Sequence, residues 1–126
     1  GKMVRDFTYV DDIVEGVIRA IDRSALPDLA WSGDKPDPAT SYAPYRIYNI
    51  GNNQPTTILE LAQIIKELAK SKSEIIKVGF GKETRLKERE IEYRIPDISK
   101  MKSLGWQPKT MTREGVKKIL ENMKNN

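Results

Sequence analysis

The side chains in this sequence best suited to chemistry are cations: Arg5, and a later group made of Lys82, Arg85, Lys87, Arg89 and Arg94. A guanidinium presents a planar fork of N–H donors that meets phosphate or carboxylate oxygens two at a time, so arginine suits a diphosphate. Arg5 stands at the start of a strand-forming run, where a side chain can point into a cleft. The later group lies in or beside a polar connection between strand candidates. Spacing alone does not say which of these cations converge, and each one singly also reads as a solvated surface charge. Other chemistries lack their residues. Without histidine there is no histidine base, no Ser-His-Asp triad and no histidine-ligated metal. Without cysteine there is no thiolate metal site and no disulfide framework. Asp11 and Asp12 could hold Mg²⁺ with a phosphate, but two carboxylates opening a helix more often cap it and compensate its dipole. No G-x-G-x-x-G or Walker glycine loop occurs, and Gly79-Phe80-Gly81-Lys82 is too short and wrongly placed for one. The chain therefore supplies no cradle for a dinucleotide pyrophosphate.

The elements that must position these cations can be read from periodicity. Arg5 to Val10 is rich in β-formers and predicts a short strand. Asp11 or Asp12 then occupies an N-cap position, and Ile13, Val14, Val17, Ile18 and Ile21 follow at helical spacing as one apolar stripe. From 24 to 45 the residues Pro27, Gly33, Pro36, Pro38 and Pro44 interrupt every period, which predicts a long ordered loop or lid. Arg46 to Ile50 predicts a second strand, closed by Gly51. Thr57 and Glu60 match a capping box for a helix running through Leu68. Ile75 to Phe80 and Ile91 to Ile95 are further strand candidates. Asp97 can cap a short helix that ends at Leu104-Gly105, and Thr110 or Thr112 opens a last helix packed through Val116, Ile119, Leu120 and Met123. Alternating strands and helices make the class α/β, or an α+β fragment of such a fold.

Composition narrows the setting. With 126 residues, 38% apolar and 32% charged, the chain fits one globular unit, or a piece of a larger one, with a heavily solvated surface. No apolar run approaches the roughly 20 residues needed to cross a bilayer, and no secretory signal pattern opens the chain, so a cytoplasmic setting with no membrane partner is expected. The net charge of +4 is uneven: residues 1–50 carry six Lys/Arg against eight Asp/Glu, and residues 51–126 carry sixteen against ten. A basic half invites a nucleic-acid reading, yet no aromatic interleaving, zinc spacing or recognition-helix pattern supports it. No nucleic-acid partner is expected.

The segment Gly1-Lys2-Met3-Val4-Arg5-Asp6-Phe7-Thr8-Tyr9-Val10-Asp11-Asp12 resembles the one that opens the C-terminal part of NAD-dependent sugar epimerases and dehydratases, extended short-chain dehydrogenases. The stretch from Trp31 through Pro36-Asp37-Pro38 to Ser41-Tyr42-Ala43-Pro44-Tyr45-Arg46-Ile47-Tyr48-Asn49-Ile50-Gly51-Asn52-Asn53-Gln54-Pro55 is similar to UDP-glucuronate 4-epimerases in particular. Asp97-Ile98-Ser99-Lys100 through Leu104-Gly105-Trp106-Gln107-Pro108 matches that family's closing D-x-S-K…L-G-W-x-P pattern. The resemblance covers in effect the whole chain, 1–126, as one nucleotide-sugar-binding portion.

It implies a two-part enzyme, in which a Rossmann domain binds NAD and a smaller C-terminal portion binds the UDP-sugar. In the family, C4 of the sugar is oxidised and then reduced from its other face, with the tyrosine of a Y-x-x-x-K motif as base. No tyrosine here has a lysine four positions later. The chain is therefore expected to be a fragment or isolated domain, without catalytic residues and inactive alone. Its partner would be a separate Rossmann domain, and a homodimer of the complete enzyme is left open. By the same resemblance, the helix at 12–21 and the strand at 46–50 would pack on that domain and leave an apolar patch in its absence. Position by position, Arg5 matches the arginine that contacts the nucleotide diphosphate, Lys87 the second phosphate-contacting arginine and Glu90 the acidic ribose contact. Arg89 replaces the family's glycine and could take over from Lys87. A related dehydratase or decarboxylase, or a non-catalytic nucleotide-sugar-binding module, remains the alternative.

Overall fold

A computed structural model of the chain describes residues 1–78 and 91–125. In chain order these form β1 (Val4–Asp6), α1 (Val10–Ile21), β2 (Pro55–Thr57), α2 (Ile58–Leu68), β3 (Tyr93–Arg94), α3 (Ser99–Ser103) and α4 (Thr112–Asn125). The strands make one sheet in the order β2-β1-β3. In it β1 runs antiparallel to β2, with Arg5 opposite Thr56, and parallel to β3, with Arg5 opposite Arg94. The class is mixed α/β, in agreement with the alternation read from the sequence.

Several elements depart from expectation, each for a local reason. β1 ends at Asp6, because Val10 already belongs to α1 and Tyr9 is its N-cap. Neither Asp11 nor Asp12 is the N-cap; both sit in the first turn. The Asp12 carboxylate is instead drawn inward: it is buried, and its Oδ2 accepts the Thr110 N–H at 2.9 Å. The short strand β2 was not anticipated. It begins with Pro55, whose missing N–H is tolerated at a sheet edge. Arg46–Ile50 is not a strand: Arg46 makes an isolated bridge with Thr40, and no described strand lies alongside to take further ladder bonds. Ile75–Val78 likewise form no strand, with Ile76 and Val78 exposed, and Phe80 lies outside the described residues.

Other local signals act as written. Glu60 N–H donates to Thr57 Oγ1 at 3.1 Å while Thr57 N–H donates to Glu60 Oε2 at 3.3 Å, the reciprocal pair that opens α2. At α3 the N-cap is Ile98, without a side-chain capping bond, and the expected cap Asp97 stands one residue earlier, where its carboxylate accepts the Ser99 N–H at 2.8 Å and its hydroxyl at 2.6 Å. Gly105, at φ 76°, closes the helix, with Gly105 N–H donating to Lys102 and Trp106 N–H to Met101. Within 24–45, Asp28 N–H donates to Ser41 at 2.9 Å and the Trp31 indole to the Asp37 carbonyl at 3.2 Å, so this stretch folds back on itself.

The core is small and lies between α1 and α3. Ile98, Met101 and Trp106 are buried, with Tyr48, Ile50 and Leu104 packed against them. The segment 46–50 thus serves as core filler rather than ladder. Trp106 Nε1–H donates to the Asp12 carbonyl at 3.0 Å. From α1, Arg19 donates to the Gly105 carbonyl at 2.8 Å and Arg23 to the Leu104 carbonyl at 2.6 Å, satisfying the C-terminal acceptors of α3. Glu15 sits between Lys109 and Arg19, whose hydrogen bonds hold its carboxyl below the usual range. On the other side α2 meets α4 through a two-pronged Arg113–Glu67 pair at 3.0 and 2.7 Å.

One face of α1 is inverted relative to an ordinary surface helix. Asp12 and Gly16 are the buried positions, whereas Val10, Val14, Val17, Ile18 and Ile21 are 45–71% exposed. These five fall within one helical stripe. A contiguous apolar face left in water favours association. The chain is expected to elute from gel filtration as concentration-dependent oligomers, with Val17→Lys shifting it towards monomer. A compact monomer at every concentration would contradict this. Among the described residues, no helix is long and apolar enough to cross a membrane.

Candidate functional site

The central strand carries the candidate site. Arg5, Asp6, Thr8, Asn49, Arg94 and Pro96 line an open groove of about 370 Å³. The groove is fixed by bonds between segments more than forty residues apart in sequence. Asp6 accepts the Asn53 and Gln54 N–H groups at 3.1 and 3.2 Å, which ties the turn before β2 onto β1. Thr8 Oγ1 accepts the Asn52 N–H at 3.0 Å, and the Asn52 amide donates to the Phe7 carbonyl at 3.0 Å. Asn49 Nδ2 donates to the Asp97 carbonyl at 3.3 Å.

Arg5 is half-buried at the β1–β3 junction. Its Nη1 donates to the Val4 carbonyl at 2.8 Å and to the Glu92 carbonyl at 3.4 Å, with Nη2 3.6 Å from Met3 Sδ. The guanidinium is therefore held against the strand that leads into Arg94. Because Arg5 and Arg94 are register partners, their side chains leave the same face of the sheet. Carbonyl oxygens are among the partners that fix the position of this fork.

Of the cations singled out in the sequence, the structure brings Arg5 and Arg94 into this groove. Lys87, Arg89 and Glu90, together with Lys82 and Arg85, lie outside the described residues. Asn49 and Thr8 were not anticipated. Asn49 reaches the groove from a segment more than forty residues from Arg5 in sequence, and only the register and the turn at 51–54 bring the two together. A second cavity of about 260 Å³ lies between α2 and α4, lined by Phe7, Tyr9, Leu61, Ile65, Val116 and Ile119. Among the described residues its lining is mostly apolar and has no charged group for an anion.

A dinucleotide does not fit the described residues. The turn from β1 to α1, where a strand–turn–helix cradle would hold a pyrophosphate, is Phe7-Thr8-Tyr9 and has no glycine. The helix that follows opens on Asp11 and Asp12, whose charges oppose a phosphate.

The sequence matches the family described as GDP-mannose 4,6 dehydratase over residues 1–119. It is 36% identical to the protein CapI of Staphylococcus aureus over 127 residues, which cover 96% of this chain and 35% of that protein. To UDP-glucuronate 4-epimerase 5 of Arabidopsis thaliana it is 32% identical over 122 residues, 96% of this chain and 26% of that protein. The chain thus spans about a quarter to a third of these relatives' length. Among solved structures, a UDP-glucose 4-epimerase of Thermotoga maritima with UDP-glucose superposes with a TM-score of 0.70 at 28% identity, covering 99% of this chain and 33% of that one.

Proposed function

Because this chain belongs to the GDP-mannose 4,6-dehydratase family of NAD-dependent epimerases and dehydratases, we propose that it is the nucleotide-sugar-binding portion of such an enzyme, with UDP-glucuronate 4-epimerase as the activity of the whole. The observation that carries this reading is the place of Arg5: central strand, half-buried, guanidinium held by carbonyls at the edge of an open groove. In this reading Arg5 binds the diphosphate, and Lys87, Arg89 and Glu90 complete the grip on phosphate and ribose. UDP-glucuronate is favoured over other UDP-sugars by the similarity to UDP-glucuronate 4-epimerases of Arabidopsis thaliana.

When bound to its own domain, NAD supplies the hydride chemistry at the sugar. The residues described here position the substrate and leave the redox step to a Rossmann portion. The exposed stripe of α1 supports such a neighbour, since a helix that turns Asp12 and Gly16 inward and five aliphatic side chains outward needs a second surface. On this reading the chain by itself epimerises nothing, and the complete enzyme works in the cytoplasm.

Arg5→Ala is expected to weaken UDP-sugar binding by about 1.5–3 kcal/mol, the range for a hydrogen bond to a charged group. Calorimetry against UDP, UDP-glucuronate and UDP-glucose measures it. An unchanged dissociation constant would remove Arg5 from the site.

A further inference from the structure

We infer that Arg23, Arg46 and Lys100 form an anion-binding pocket of their own, suited to a small ligand with two or more adjacent negative charges, phosphate groups foremost. The three cations line an open pocket of about 350 Å³ together with Ser24, Tyr48 and Ser103. They come from separate parts of the chain: Arg23 follows α1, Arg46 begins the core-filling segment, and Lys100 lies in α3. The pocket shares no lining residue with the groove at Arg5. One exposed cation is ordinarily a solvated surface charge, but three at one pocket repel each other, and an anion among them relieves that repulsion. The described lining holds no carboxylate to do so. Among the described residues, ion pairs join Arg19 and Lys109 to Glu15 and Arg113 to Glu67, and none reaches this pocket. Asp97 feels the charge of Lys100, but its carboxylate is bonded to Ser99. One fork is held in place: Arg23 Nη1 donates to the Leu104 carbonyl at 2.6 Å, which leaves the other guanidinium donors for a ligand. The Tyr48 ring is packed against the core, and neither its hydroxyl nor that of Ser24 bonds a described residue, so both can donate. Two guanidinium forks, an ammonium and two hydroxyls match the crowded oxygens of pyrophosphate or a phosphate ester better than a single carboxylate.

The test is a titration of the isotope-labelled 126-residue chain with inorganic pyrophosphate, followed by amide chemical shifts. Ser24, Ser103 and Leu104 report the pocket, and Thr8 and Ile95 report the groove. The pocket amides are expected to move along saturating curves, whereas sodium chloride at equal ionic strength moves them little and without saturation. Arg46→Ala and Lys100→Ala should each weaken the pocket curve by roughly three- to tenfold and leave the groove curve unchanged. Arg46→Lys should recover part of the loss, because it keeps the charge and gives up the fork. Arg46 and Lys100 are exposed, so these variants should keep the wild-type circular dichroism spectrum. Arg23 is left in place, because its bond to the Leu104 carbonyl helps to close α3. UDP in place of pyrophosphate separates the sources of the phosphate. Tighter saturation of the pocket by UDP identifies a nucleotide, and equal or weaker saturation identifies the phosphate group itself; each supports the site. Pocket shifts that are absent, that follow ionic strength alone, or that survive both alanine substitutions overturn it. Shifts confined to the groove overturn it too, and leave the nucleotide-sugar reading of Arg5 standing. That reading fails instead when UDP moves the pocket amides and not the groove.

Discussion

Trp106→Ala is expected to lower the stability of the chain by about 3–5 kcal/mol, the range for deleting a buried tryptophan or phenylalanine. Against a total of roughly 5–15 kcal/mol for a domain, this is enough to leave a large fraction unfolded near body temperature. The indole is 1% exposed and packs with Ile98 and Met101, so truncation opens a cavity in a small core. It also removes the donor to the Asp12 carbonyl at 3.0 Å. Gly16 belongs to the same contact: a Cβ there would lie 2.9 Å from Ile50 Cδ1 and 3.3 Å from the indole nitrogen, so α1 seats on Trp106 only because position 16 lacks a side chain. Losing the indole should therefore loosen α1 and α3 together. Trp106→Phe separates the two contributions. It keeps most of the apolar volume and deletes the N–H, so a smaller loss of about 1–2 kcal/mol is expected for the orphaned carbonyl. Urea unfolding followed by tryptophan-independent circular dichroism measures both variants. A loss below 1 kcal/mol for the alanine variant would show that the core lies elsewhere.

How far the sequence reveals this structure depends on the range of the interaction. Signals written within four or five residues are legible: the Thr57–Glu60 box, Asp97 at the start of α3 and Gly105 at its end all act through bonds between near neighbours. Signals that depend on a distant partner are not. Asp12 reads as a helix cap from its position, yet its carboxylate is taken by Thr110, a partner no local window contains. Arg46–Ile50 has the composition of a strand, but a strand also needs a neighbour, and Tyr48 and Ile50 instead fill space beside α3. β2 escaped notice because three residues beginning with proline carry almost no propensity of their own; its pairing with β1 is what makes it a strand. The candidate site divides in the same way. Arg5 is legible from its motif, whereas Asn49 and Arg94 become its neighbours only through the sheet register and the turn that precedes β2.

That turn is the joint on which the groove depends, and Gly51→Ala tests it, with an expected loss of about 2–4 kcal/mol. Gly51 is buried, and a Cβ built there would stand 2.5 Å from Pro96 Cγ and closer still to Asp6 Oδ2. Neither neighbour can easily yield. Pro96 is a closed ring on the segment following β3, and Asp6 is pinned by the Asn53 and Gln54 N–H groups. An added methyl in so tight a space costs about 1–3 kcal/mol by overpacking. Pushing the carboxylate aside adds about 1 kcal/mol for each hydrogen bond it gives up. The effect is steric and owes nothing to backbone freedom, because Gly105 is the chain's described glycine with positive φ. Gly33→Ala provides the contrast: nothing lies within 4 Å of its added Cβ, so its stability should change by no more than a few tenths of a kcal/mol. Arg5, Asp6 and Pro96 all line the groove, so a partly folded Gly51→Ala chain should also bind UDP more weakly than wild type. Equal urea midpoints for the two alanine variants would mean that the 51–54 turn does not press on β1. The convergence of Arg5, Asn49 and Arg94 would then need another cause.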